Sequence, residues 1–196
     1  VKAGDNNKPL TAGNVREFSN NIAYEPNVTD YFVIASYDDL VEFTKSGLEK
    51  NALMIANVEI PADATWTPIE GYAKEFNGNG HIISGLKAPL FGTTSATIKD
   101  LSLTKVNITE TERVKIGVIA CELLGSMINC SASGSLTINN TTFAPASVAN
   151  DYSDITVGGL VGTASGASVV NSTNSVNIVV KSLCAETLTC KAAIGG

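Results

Sequence analysis

Apolar and polar positions change their spacing once along this chain, close to residue 52. Before that point an apolar Tyr31-Phe32-Val33-Ile34 run leads into Ser36-Tyr37-Asp38-Asp39. Leu40, Val41, Phe43, Thr44 and Leu48 then recur at helical spacing. A serine followed three residues later by an acid can satisfy the free N–H groups of a helix start. The spacing predicts one short amphipathic helix over about 37–50, weakened near its end by Gly47. From Ala52 onward the period is two. Leu53, Ile55 and Asn57 alternate imperfectly with Ala52, Met54, Ala56, Val58 and Ile60, which predicts a largely buried strand ended by Pro61. Short β-prone runs follow between glycines and asparagines, from Ile82-Ile83 to Val176–Lys181, with no helical stripe between them.

These runs repeat. Ile116-Gly117-Val118-Ile119-Ala120 matches Gly158-Gly159-Leu160-Val161-Gly162 at an offset of 42. At the same offset Met127-Ile128-Asn129-Cys130 falls on Val169-Val170-Asn171-Ser172, and Leu136-Thr137-Ile138 on Ile178-Val179-Val180. Pro89-Leu90-Phe91-Gly92, followed by Ala96 to Leu103, reads as an earlier copy. Each unit is a small-apolar-apolar-small step, a polar turn, a strand ending in Asn or Asp, and another strand. The segment 139–155 breaks the rhythm and reads as a looped insertion. Ala193-Ile194-Gly195-Gly196 resembles Thr156-Val157-Gly158-Gly159, so a further unit is expected to begin there.

A short strand with one apolar face cannot bury that face alone, whereas stacked coils bury it and pair their backbones from coil to coil. The expected fold is therefore all-β, a parallel β-solenoid. A small capping segment over 1–52, containing the helix, would precede a repeat domain over 53–196. A two-sheet sandwich is the rival, but it calls for hairpin turns at 8–12-residue spacing and no strict repeat.

Trp66-Thr67-Pro68-Ile69, Phe76-Asn77-Gly78-Asn79-Gly80-His81-Ile82-Ile83-Ser84-Gly85-Leu86 and Pro89-Leu90-Phe91-Gly92 carry a family resemblance. With Gly159-Leu160-Val161-Gly162 they resemble the bacterial GLUG-repeat proteins over about residues 53–180. The resemblance implies a right-handed parallel β-helix on secreted or surface-anchored, adhesin-like bacterial proteins. The same repeat accompanies peptidase domains of immunoglobulin-cleaving enzymes as an accessory. It marks Trp66, Gly78, Gly80, His81, Gly85, Gly92, Gly159 and Gly162 as structural positions and supplies no catalytic residue. Pro89 in place of a glycine, and the Ile116–Ala120 step, depart from the family pattern.

Composition narrows the partners. Ser, Thr and Asn make up over a quarter of the 196 residues, and charged residues only 16%. Thirteen Lys and Arg against nineteen Asp and Glu leave a net charge of −6, which argues against nucleic acid. No apolar run reaches the roughly 20 residues of a spanning helix, so no membrane insertion is expected. A neutral, hydroxyl-rich surface suits an extracellular setting.

Candidate chemistry is sparse. His81 is the only histidine, which excludes metal sites built on two histidines within one chain. It could pair with Asp63, Asp100 or Ser84, but its place beside two glycines favours a structural role in a tight corner. Cys121 and Cys130 fall on Thr163 and Ser172 at the 42 offset and read as small buried thiols. Cys184 and Cys190 are close enough for a local disulfide. Glu110, Glu112, Glu122, Asp151 and Asp154 show no repetition at that offset, so no stacked acidic face is evident. The Asn-x-Ser/Thr sites, Asn129 and Asn171 among them, read as turn and ladder residues. The reading that follows is a non-catalytic surface adhesin without cofactor or metal. It would present a polar face to a host or matrix protein or carbohydrate. A polysaccharide lyase or glycoside hydrolase, using acids of the 139–155 insertion and a neighbouring coil, is the alternative, and a pure spacer a further one.

Overall fold

The computed structural model describes residues 30–112, 115–139 and 155–181, and the backbone of 192–195. The chain starts with β1 (Tyr31–Ile34), helix α1 (Tyr37–Glu42), β2 (Asn51–Met54) and β3 (Val58–Glu59). Next come β4 (Glu75–Asn77), β5 (Ile82–Ser84), β6 (Phe91–Thr94), β7 (Thr97–Lys99) and β8 (Ser102–Glu110). They are followed by β9 (Lys115–Gly117), β10 (Ala120–Leu123), β11 (Ser126–Ile128) and β12 (Ser131–Ile138). The last are β13 (Ile155–Gly158), β14 (Val161–Ala164), β15 (Ser168–Val170), β16 (Thr173–Val180) and β17 (Ala192–Gly195). Among the described residues the fold is thus mostly strand with one short helix.

Four parallel sheets hold these strands. One has the order β1-β2-β4-β7-β11-β15 and another β16-β12-β8-β5-β3. The two three-stranded sheets run β14-β10-β6 and β17-β13-β9. Neighbours within a sheet come from successive stretches of chain, never from a hairpin, which removes the sandwich alternative. The expected single strand from Ala52 to Pro61 is two strands in two different sheets. The chain turns between them at the exposed Ile55, and the Asn57 side chain accepts the Ile82 amide at 2.9 Å.

Ser36 caps α1 as its spacing foretold. Its hydroxyl accepts the Asp39 amide at 3.2 Å and donates to the Asp39 carboxylate at 2.8 Å. The Ala35 amide donates to the same carboxylate at 3.0 Å. The Ser36 hydroxyl and the Ala35 amide hold the Asp39 carboxyl below the ordinary carboxylate range. The helix is shorter than 37–50: after Glu42 it widens into a π-helical turn, Phe43–Gly47. Gly47 closes that turn. A Cβ there would run into the rings of Phe43 and Phe32, so only glycine lets both rings close over the backbone. Phe43 then meets Tyr72 and Phe76 edge-on, with centroids at 5.2 and 5.8 Å. Phe76 meets Phe91 at 5.5 Å. This chain of rings ties the helix into the strand layers.

The inward columns are apolar. Ile98 pairs with Met127 and Met127 with Val169; Ile108 pairs with Leu136 and Leu136 with Ile178. The 42 offset holds for these later pairs but not for the first. Ile116 lies opposite Val157 and Ala120 opposite Val161, an offset of 41. The extra residue enters at Ser165-Gly166-Ala167, which replaces Leu124-Gly125 of the preceding layer. Gly166 adopts φ +66° in open space there.

Asp100, Asn129 and Asn171 end β7, β11 and β15 with φ of 52°, 53° and 49°. Asn and Asp tolerate this left-handed conformation better than other residues with a Cβ. The Asn129 amide group donates to the Asp100 carboxylate at 3.0 Å, and the Asn129 backbone N–H donates to the Val170 carbonyl at 3.0 Å. Of the ladder expected of these asparagines, one side-chain rung is seen, from Asn129 to Asp100; the tie from Asn129 toward Asn171 runs through the main chain.

Two predictions follow from the packing. Asn129→Val puts a β-branched residue at φ 53° and removes the bond to Asp100. It should cost about 2 kcal/mol in urea unfolding, with Asn129→Gly recovering most of the loss. Tyr72 is buried, and its hydroxyl donates to the carbonyl of Glu75 at 2.6 Å and lies 2.9 Å from that of Lys50. Burial pushes its phenol well above the ordinary tyrosine range. The unfolded chain therefore sheds this proton first as pH rises. The stability it supplies is intact below pH ~10 and declines above it. Tyr72→Phe should lower the melting temperature at pH 8 and flatten its decline between about pH 10 and 12.

Candidate functional site

The motif residues from Trp66 to Gly92 converge on the first layers, and Gly159 and Gly162 lie in a later one. Trp66 is buried, and its indole N–H donates to the carbonyl of Pro89 at 3.1 Å, with that of Leu90 at 3.4 Å. The residue thus joins the Trp66–Ile69 segment to the step before β6. Gly78 sits where the corner passes over Asp100 and Leu101 so closely that a Cβ would clash with their backbones. The Gly80 amide donates to the Asp100 carbonyl at 2.8 Å, and the Gly85 amide to that of Thr104 at 3.0 Å. His81 belongs to the same corner, but through its main chain. Its amide donates to the Gly78 carbonyl at 2.8 Å and its carbonyl accepts the Ser102 amide at 3.3 Å. Gly159 lies against the Asn174 side chain, and Gly162 against the backbones of Ile116 and Cys121.

Gly92 does something different. The Glu70 carboxylate lies directly over it, in space that any Cβ would fill, and accepts the Thr93 amide at 2.8 Å. This carboxylate forms one wall of a cleft of about 310 Å³ lined by Glu70, Gly92, Thr93, Glu112, Lys115, Cys121 and Glu122. Lys115 pairs with Glu122 at 2.9 Å, which leaves two further carboxylates, Glu70 and Glu112, facing the opening. The cleft is therefore acidic and suits a cationic or amide-rich ligand. Glu112 and Glu122 were visible as candidate acids; Glu70 and Lys115 were not. The 42 offset hides the site, because Glu122 stands opposite Thr93 at a spacing of 29.

Cys121 and Cys130 are both buried, as expected. Cys121, however, is in line with Gly162 and not Thr163, because the local offset is 41. The Cys130 thiol lies 3.3 Å from the Ile128 carbonyl, and burial pushes it up, away from the thiolate. Cys184, Cys190, Arg113, Asp151 and Asp154 lie outside the described residues, as does most of the 139–155 insertion. Among the described residues no three His, Cys, Asp or Glu side chains are placed to hold a metal ion.

A family model described as the M26 IgA1-specific metallo-endopeptidase N-terminal region matches residues 70–134, about a third of the chain. No curated protein and no solved structure matches. The matched segment runs from the first wall of the cleft into β12 and contains every residue that lines it. This finding corrects the expected kinship, since the matching model is that of a metallo-endopeptidase region and not of GLUG-repeat proteins. It also overturns the non-catalytic adhesin and the expectation that no enzyme is involved, because the match points to a peptidase family. The acids of the cleft do not restore the carbohydrate-cleaving alternative. The residues that read as GLUG signatures serve here as corner and packing positions, which any layered parallel fold of this pitch requires.

Trp66 gives the sharpest test of this scaffold. Trp66→Phe removes the indole bond and should cost about 1–3 kcal/mol. Trp66→Ala adds a cavity and should cost about 3–5 kcal/mol in chemical denaturation.

Proposed function

We propose that this chain has a protease-related function, as a substrate-holding part of an endopeptidase. The observation that supports this reading is the overlap between the match at 70–134 and the acidic cleft. A metal centre does not fit the described residues, so no hydrolytic step is assigned to them. Their contribution is to position a protein. We read the four parallel sheets as faces of one coiled path, a right-handed parallel β-helix with the helix-bearing segment before β2 as its cap. From β7 onward each layer visits the sheets in the same order, which supports that reading. Such a coil is stiff along its length, and a cleft on its side keeps a fixed distance from either end.

The Glu70 and Glu112 carboxylates would engage basic or amide groups of the bound protein, with Lys115 held back by Glu122. No helix among the described residues is long and apolar enough to cross a membrane. An extracellular location belongs to the same proposal and is supported by the neutral, hydroxyl-rich composition. IgA1, named by the matching family, is the first protein to test.

The purified chain should be retained on immobilised IgA1. Glu70→Gln and Glu112→Gln should each weaken retention several-fold, while Asp38→Asn on the distant helix leaves it unchanged. Retention without either effect would remove the cleft from the function. Absence of both retention and cleavage of IgA1 would overturn the reading as a whole.

A further inference from the structure

The last inward position of β8 holds a carboxylate. Val106, Ile108 and Glu110 alternate inward along that strand and are all buried, Glu110 to 7% exposure. The layers that follow fill the same place with apolar side chains. Glu110 lies opposite Ile138, which is fully buried, and Ile138 opposite Val180, which packs against the core. The stacking of layers therefore asks for an apolar residue here. A buried carboxylate is costly unless hydrogen bonds or a partner offset the loss of water. A place where the local rule is broken in this way is where a function is expected.

The turn after β8 supplies the reason. Its near end is fixed to the next layer, because the Glu110 carbonyl accepts the Asn139 amide at 2.8 Å. Its far end is fixed at Lys115, which pairs in register with Thr156. Between these ends the Glu110 Oε1 accepts the amides of Thr111 and Glu112, each at 3.0 Å. Both residues are exposed, so apolar packing does little to place them. Hydrogen bonds to an ionised acceptor are about twice as strong as neutral ones, which suits a carboxylate to this task.

That turn carries Glu112 and leads into Lys115, two of the charged residues that line the cleft. Lys115 is held by Glu122 at 2.9 Å, and the Glu70 carboxylate by the Thr93 amide at 2.8 Å. Glu112 is held through its own main chain, by Glu110.

We propose that Glu110 is a positioning residue of the cleft. Its buried carboxylate fixes the backbone of Thr111 and Glu112 and so sets where the Glu112 carboxylate meets a basic group of the bound protein. Glu110 touches no ligand and acts only through Glu112. The proposal rests on the reading of the cleft as a protein-holding site.

The test begins without a partner. Solvent exchange of backbone amides, read by NMR on the full chain, should speed up at Thr111 and Glu112 in Glu110→Ile and change little along β12. Isoleucine is what the next layer carries at this place, so the fold should survive, as checked by circular dichroism. On immobilised IgA1, Glu110→Ile should weaken retention several-fold, as Glu112→Gln does. The two together should weaken it no further, because both remove the same contact. Glu110→Gln keeps an acceptor oxygen and should recover most of the loss. Unchanged exchange at Thr111 and Glu112 overturns the proposal whatever the retention. So do retention that ignores Glu110→Ile while Glu112→Gln weakens it, losses that simply add, and a glutamine variant as weak as the isoleucine one; these leave the cleft reading in place. A wild-type chain that is not retained overturns the cleft reading and this proposal with it.

Discussion

Parallel pairing between successive layers imposes one demand on this chain: every layer must turn at the same place as the one beneath it. Asp100, Asn129 and Asn171 meet that demand. Each takes a left-handed backbone conformation at the end of its strand, and each redirects the chain from the six-stranded to the five-stranded sheet. A layer that turned one residue early would carry its apolar side chains to the outer face, because the side-chain period of a strand is two. The buried column of Ile98 and Met127, and that of Ile108 and Leu136, exist only because these corners agree. The side-chain bond from Asn129 to Asp100 adds a direct tie between corners that are already set by conformation.

The ring cluster performs a different task. Phe32, Phe43, Tyr72, Phe76 and Phe91 fill the interior of the first layers, where the apolar columns of the later layers begin. Gly47, the last residue of the π-helical turn, makes this possible by letting two rings approach the backbone. Later layers use Ile, Leu, Met and Val in the same interior. The molecule therefore changes from an aromatic core to an aliphatic one along its length, and helix α1 sits at the aromatic end.

How much of this is legible in the residues depends on the scale of the signal. The cap at Ser36 and Asp39 and the turns at Asn129 and Asn171 are local chemistry, and they read correctly. The alternation of β-prone runs reads correctly as parallel layers. The split of 52–61 into β2 and β3 is not visible, because an exposed Ile55 looks like one more apolar position until the corner is seen. The 41-residue step is hidden by a single extra residue at the Gly166 turn. The cleft is less legible still. Glu70 and Glu122 approach through layers of unequal length, so no fixed period joins them. The kinship is misread because corner glycines and a buried tryptophan answer local packing needs, and such positions do not by themselves identify a family.

The connections from β8 to β9, β12 to β13 and β16 to β17 span 111–114, 139–154 and 181–191. All three leave the five-stranded sheet and enter the β9 sheet. From β7 onward every other connection is two or three residues long, so chain length varies in these three alone. Glu112 and Lys115 stand at the first of them and line the cleft. Connections of four and of sixteen residues thus join the same two sheets while the strands on either side keep their register. Such a frame accepts added chain at one place without renegotiating how it folds.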